Sequence, residues 1–215
     1  MLTLREKSHT KRSLPPAAAW LVIVAALAPA GVGAAPKPSV DVAMKTPLGT
    51  IVVRLDAEHA PKTTANFLHY VDTQAYEGAT FYRFVPRRAR GGGRVTISVI
   101  QGGLQTKLGD SGIEKLPTVV LEPTSQTGLS NTNGTIAMAR DAAPNTASSE
   151  FFINIGDNSV LDAQKFKDHH GYAVFGRVVS GMTVVKAIAA APTRPDPAMT
   201  ALLNPPIPIV SMRQL

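Results

Sequence analysis

The 215 residues include no cysteine. A disulfide framework, a thiol nucleophile and a thiolate metal site are thereby excluded, while an oxidising compartment is tolerated. Aromatic residues are scarce at 6%. Metal patterns are missing too. After the N-terminal segment the histidines are His59, His69, His169 and His170, with no HExxH, no CxxC and no calcium loop, so no metal site is expected and "DHHG" reads as an exposed loop. No G-x-S-x-G elbow occurs, which argues against a serine hydrolase. A doubly wound sheet is disfavoured, because strand-like and helix-like stretches do not alternate.

Proline and glycine, by contrast, are plentiful at 17 each, which favours a fold with many turns over a helix bundle. The first 35 residues read as a separate unit. Arg5, Lys7, Lys11 and Arg12 precede the apolar run "PPAAAWLVIVAALAPAGVGAA", and the small residues at its end offer a cleavage site after Ala34. That is the pattern of a secretory signal and implies an exported protein. An uncleaved membrane anchor is the competing reading, since the run approaches the roughly 20 residues that a span requires. Without this segment 18 basic residues face 14 acidic ones, a modest balance of +4.

Residues 36–215 read as one domain. Alternating runs over 40–45 and 50–55 flank a Pro and Gly turn and predict a hairpin. Pro61 opens a helix that runs to about Val71. Strands are predicted over 79–85, 95–101, 134–139, 150–155 and 171–179, and a second helix over 181–191. A long loop over 102–133, with a short strand near Val119, separates the earlier elements from the later ones. A Pro-rich crossing over 189–208 leads to a closing strand. This pattern suggests an antiparallel barrel or sandwich.

The stretch "FYRFVPRRARGGGRVTISVIQGG" (residues 81–103) concentrates arginine and glycine. A phosphate cradle would require the glycines to lead into a helix. Here they lead into a β-branched, strand-like run. Residues 86–96 are therefore read as a basic, Gly-rich loop inserted between two strands. On an alternating strand Phe81, Arg83 and Val85 would share one face, and Tyr82 and Phe84 the other.

Five stretches in order, "TPLGTIVVRLDAEHAPKTTANF", "FYRFV…VIQGG", "GTIAMAR", "PNTASSEFFINIGDNSVLD" and "GYAVFGRVVSGMTVV", resemble the cyclophilins, a family of peptidyl-prolyl cis-trans isomerases, and in particular their bacterial periplasmic branch. The resemblance implies a mainly β fold, a closed eight-stranded antiparallel β-barrel capped by two α-helices. It implies acceleration of X-Pro bond rotation during the folding of exported proteins, with proline-containing unfolded or extended segments as partners, no cofactor, no nucleic acid and a monomeric state. Membrane contact would arise only through an uncleaved N-terminal segment.

By the same resemblance Arg83 is the catalytic cation. Gln101 binds the substrate backbone and steadies the arginine. Phe152 and Leu161 form the floor and wall of a proline pocket, and Tyr172 stands at a position held by His or Tyr. Ala139 and Arg140 supply the backbone that pairs with substrate. Without the motifs, Arg83 would read as a surface arginine in an ion pair, and Phe152 and Leu161 as plain core. The chain departs from the pattern at Ser98 and Val99, where most members carry an aromatic residue and a methionine. It departs again at Glu150, which replaces a glutamine and stands where it would pair with Arg83, and at Val160, where drug-sensitive members place a tryptophan. Two functional readings follow: an isomerase with a remodelled pocket, in which these substituted residues still border the substrate, or a cyclophilin-fold peptide-binding or chaperone-like module with weak or no catalysis.

Overall fold

The structure, a computed structural model, describes residues 39–86, 97–196 and 200–215. The N-terminal segment expected to be an export signal and all but Pro86 of the Gly-rich insert lie outside the described residues.

The expected hairpin is formed by β1 (Val40–Thr46) and β2 (Gly49–Leu55). Their alternation places Val42, Met44, Ile51, Val53 and Leu55 in the interior. Helix α1 (Pro61–Asp72) follows with proline at its start, where the missing N–H costs nothing, but it has no cap from its own flanking residue. The cap comes from far along the chain. Buried Glu122 accepts the N–H of Lys62 at 3.1 Å, the N–H of Thr63 at 2.8 Å and the Thr63 hydroxyl at 2.7 Å. It also supplies the negative charge that the first turn of the helix lacks.

The chain continues through β3 (Thr80–Val85) and β4 (Val99–Gly103) into three single-turn helices, α2 (Gln105–Leu108), α3 (Asp110–Ile113) and α4 (Thr124–Thr127). These occupy the stretch expected to be loop, and the strand expected near Val119 is reduced to one bridge between Val119 and Ala147. Then come β5 (Thr135–Met138), β6 (Phe151–Asn154), β7 (Val174–Ser180), helix α5 (Met182–Ala189), β8 (Thr193–Asp196), β9 (Thr200–Pro208) and β10 (Ser211–Gln214).

All ten strands pair antiparallel in one sheet, in the order β10-β1-β2-β7-β5-β6-β4-β3-β9-β8. The expectation of eight strands closed by hydrogen bonding is corrected on two points. The Pro-rich crossing contains a hairpin, β8 with β9: Pro195 lies on β8, an edge strand, and Pro205 and Pro206 fall where the β3–β9 register shifts. In addition, no ladder among the described residues joins β8 to β10. The chain itself bridges the sheet: β9 pairs with β3, the backbone bends at Ile209 and Val210, and β10 pairs with β1. Through the bend Ile209 N–H donates to the Ala79 carbonyl and Val210 N–H to that of Lys45, each at 2.8 Å.

The interior is an aromatic cluster. The Phe151 ring meets Phe67, Tyr76 and Phe81 edge-on, at centroid separations of 5.6, 5.6 and 5.7 Å. This is the favoured geometry for rings whose faces are electron-rich.

Candidate active site

A second, smaller apolar cluster lies apart from this interior. Val99, Ala137, Phe152, Leu161 and Val174 form it, with Val85, Ile97, Val160, Phe166 and Tyr172 packed around them. Strand register creates it. Arg83 pairs with Gln101 across β3 and β4, Gln101 with Phe152 across β4 and β6, and Phe152 with Ala137 across β6 and β5. Directly opposed side chains in an antiparallel sheet stand about 5 Å apart, so a cation, an amide and an aromatic ring form one row.

Arg83 reaches this row because of a bulge. Phe81 pairs with Gly102 and Arg83 with Gln101, so Tyr82 is an extra residue. Strict alternation would send Phe81 and Arg83 to the same face. Instead Phe81 is buried in the interior cluster, while Arg83 and Val85 border the outer one.

The row opens on a pocket of about 160 Å³. Of the residues expected at the site, Arg83, Val99, Gln101, Ala139, Arg140, Phe152, Leu161 and Tyr172 line it, joined by Val85 and Ile97. Val85 and Ile97 flank the insert in sequence. Ser98 and Glu150 were expected here and do not line it. Ser98 is buried behind β4, where its N–H donates to Asn158 Oδ1 at 2.9 Å and its carbonyl accepts Asn158 Nδ2 at 2.8 Å. It thereby ties β4 to the 3-10 turn that carries Leu161.

Glu150 is also buried behind the row, and among the described ion pairs none joins it to Arg83. The two are linked in steps. Arg83 donates to Gln101 Oε1 at 2.9 Å, Gln101 Nε2 to the Tyr82 oxygen at 2.7 Å, and Tyr82 Oη to Glu150 Oε2 at 2.8 Å. The other Glu150 oxygen accepts the Gln105 N–H at 3.0 Å. A Cβ on Gly103, whose φ of +151° already favours glycine, would collide with this carboxyl group. Burial pushes the Glu150 carboxyl above the usual carboxylate range, against the hydrogen bonds from Tyr82, Gln105, Leu104 and Ser149. Burial, reinforced by the nearby Glu150 charge, also pushes the Tyr82 phenol well up.

The far wall is held by Arg140. Its side chain is only 2% exposed and pairs with Asp168. It donates to the carbonyls of Gly171, Asp141 and Ala142, and its guanidinium lies 5.0 Å from the centroid of the Tyr172 ring. Arg140 is thus a strut for the pocket wall, and the Ala139 N–H is already committed to the Glu150 carbonyl at 2.8 Å. Tyr172 in turn contacts Phe152 and Phe166 edge-on, at 5.5 and 5.2 Å. Gly171, at φ +62°, lets the Tyr172 N–H reach the Leu161 carbonyl at 3.1 Å, where a Cβ would strike that same backbone. Asp168 belongs to the "DHHG" stretch expected to be an exposed loop. Burial opposes its charge, but the Arg140 bond and the N–H groups of His170 and Gly171 outweigh that and hold it down at about 2.

Reading the sequence alone did not identify Val85, Ile97, Tyr82, Phe166 or Asp168 as site residues. The position of Val85 two places after Arg83 carried a signal, because both would face the same way.

Residues 39–214 match the family described as cyclophilin type peptidyl-prolyl cis-trans isomerase/CLD. Among curated proteins, a peptidyl-prolyl cis-trans isomerase of Acinetobacter baylyi is 37% identical over 80% of this chain and 84% of its own length. Peptidyl-prolyl cis-trans isomerase B of Escherichia coli is 35% identical over 67% of this chain and 81% of its own. Among solved structures, a cyclophilin type isomerase of Cryptosporidium parvum superposes with a TM-score of 0.63 at 21% identity, covering 83% of this chain and 98% of that one. A second structure of that protein, obtained in the presence of the dipeptide Ala-Pro, superposes with a TM-score of 0.61 at 22% identity, covering 80% of this chain and 97% of that one. With its matched span and these relatives, the chain belongs to the cyclophilin-type peptidyl-prolyl cis-trans isomerases and is an enzyme of that class.

Proposed function

We propose that this isomerase works by aiming Arg83 at the prolyl nitrogen of a peptide whose proline ring occupies the pocket over Phe152. Amide resonance sets the problem, since rotation about the bond faces a barrier of roughly 18–20 kcal/mol. In the twisted amide the nitrogen turns pyramidal and exposes a lone pair. A permanently charged guanidinium that donates to this lone pair favours the twisted form over both planar forms. Phe152, Leu161, Val99 and Tyr172 hold the ring by apolar contact, and Gln101 steadies Arg83 from the next strand. No bond is made or broken, so neither nucleophile nor cofactor is needed.

The observation that carries this reading is the row of Arg83, Gln101 and Phe152 across three neighbouring strands, with the Arg83–Gln101 bond of 2.9 Å above the pocket. The N-terminal sequence pattern supports a role in the folding of exported proteins in the periplasm. A protease-free assay of cis–trans relaxation in a proline peptide tests the mechanism. Arg83→Ala is expected to lower kcat/KM by about a hundredfold, the scale seen when one preorganised donor is removed. An unimpaired variant would sink the arginine mechanism, and a wild type no faster than the uncatalysed reaction would favour a peptide-binding module.

A further inference from the structure

We propose that Glu150 and Tyr82 are positioning residues for the isomerase reaction: they fix the direction of a hydrogen-bond chain and so decide which end of the Gln101 amide faces Arg83. The proposal rests on the arginine reading above.

The argument follows from which groups can donate. An ionised carboxylate only accepts. Tyr82, 2.8 Å from Glu150 Oε2, must therefore spend its single proton on that oxygen. Its own oxygen is then left to accept, and the group that reaches it at 2.7 Å is the NH2 of Gln101. The Gln101 carbonyl oxygen consequently points the other way, 2.9 Å from the Arg83 guanidinium, which can only donate. Each link determines the next, and the origin of the direction is the charge on Glu150.

A glutamine at position 150 would reverse the order. The Gln105 N–H, 3.0 Å from Oε1, demands an acceptor at that oxygen. The NH2 of a glutamine would then face Tyr82 and donate to it. Tyr82 would donate to the Gln101 oxygen, and the Gln101 NH2 would meet Arg83, donor against donor. Protonation of Glu150 allows the same reversal, because a carboxylic acid can donate. The titratable and charged groups that face Glu150 are Tyr82, with Arg83 beyond it on β3, and Tyr76 between α1 and β3; its other contacts are the N–H groups of Leu104 and Gln105 and the Ser149 hydroxyl. Both phenols lie high, Tyr82 and Tyr76 alike through burial first, which leaves Glu150 as the group in this cluster that titrates on the acid side. Burial raises its pKa, so the reversal sets in at a higher pH than for an ordinary glutamate.

The test compares wild type, Glu150→Gln, Tyr82→Phe and the double variant in the relaxation assay across pH. Glu150→Gln is expected to lose about tenfold in kcat/KM at neutral pH, equivalent to ~1.4 kcal/mol, and to lose the acidic limb that the wild type shows. In the Tyr82→Phe background the same substitution should change little, because the link is already cut. A Glu150→Gln enzyme that keeps the wild-type rate and acidic limb, or a full additional loss in the double variant, overturns the proposal. Carbon and nitrogen NMR of the wild type gives a second measure that needs no variant: the Gln101 side-chain amide must titrate together with the Glu150 carboxyl, and independent behaviour refutes the chain. Arg83→Ala separates the two readings. If it is unimpaired, the arginine mechanism fails; if it is inactive while Glu150→Gln behaves as wild type, only the positioning role fails.

Discussion

Phe151 and Phe152 are neighbours on β6, yet they belong to different worlds. Phe151 points inward, where three aromatic rings meet it edge-on and nothing of it is exposed. Phe152 points into the smaller cluster, where among the described rings Tyr172 alone meets it edge-on and it lines a pocket of about 160 Å³. The period of two along a strand turns one dipeptide into a core residue and a pocket-lining residue. Identical chemistry thus does opposite work: one ring closes the interior, while the other borders the pocket that the proposed mechanism fills with a proline ring.

Truncating each phenylalanine separates the two roles most sharply. Phe151→Ala should destabilise the fold by about 3–5 kcal/mol, the usual cost of emptying a closed aromatic site, as measured by urea denaturation. Phe152→Ala should cost less in stability, because its cavity opens onto an existing pocket, while lowering kcat/KM by at least about tenfold, or ~1.4 kcal/mol of transition-state binding. Equal stability losses in the two variants would erase the distinction.

The outer cluster also depends on charge. Asp168→Asn leaves Arg140 buried without its counter-charge and should cost about 1–3 kcal/mol at neutral pH, a value reduced because Asp168 is about a quarter exposed (26%). The folded pKa of Asp168, about 2, lies below its ordinary value of 3.8, so its contribution is complete above that value and disappears as pH falls through about 2. The stability gap between wild type and variant should therefore narrow in acid, and a gap independent of pH would break the link. The smallest effect is expected at the edge of the cluster. Val160 presents little surface where drug-sensitive relatives place tryptophan, so cyclosporin should bind no tighter than micromolar, and Val160→Trp should improve it by about tenfold, a typical gain for a large aromatic anchor of about 1–2 kcal/mol. Sub-micromolar binding by the wild type would contradict this.

The local sequence signals were the more legible. Alternation marked the β1–β2 hairpin, Pro61 marked α1, and the "FYRF", "VIQGG" and "SSEFF" stretches led to Arg83, Gln101 and Phe152. Long-range placement was less legible. Local alternation cannot reveal the bulge at Tyr82, because the extra residue is defined only against β4. Asp168 and Phe166 lie in a polar stretch whose role depends on Arg140, 28 residues from Asp168. Glu150 stood out as a substitution, but its partner proved to be Tyr82, since register placed Gln101 between the carboxylate and the arginine. The β8–β9 hairpin was hidden by its prolines, of which Pro195 is accommodated by the edge position of β8, and Pro205 and Pro206 by the register shift between β3 and β9.

The bend at Ile209 and Val210 has a consequence for the order of events during synthesis. Chains emerge from the ribosome N-terminus first, and β3, which carries Arg83, receives its outer neighbour from residues 202–208, while β1 receives its own from 211–214. Until residues 202–214 are released, β1 and the strand that carries Arg83 both keep an unpaired edge. One short segment thus closes both strands: without residues 211–214 β1 alone would keep an open seam, and without residues 202–214 β3 would keep one as well.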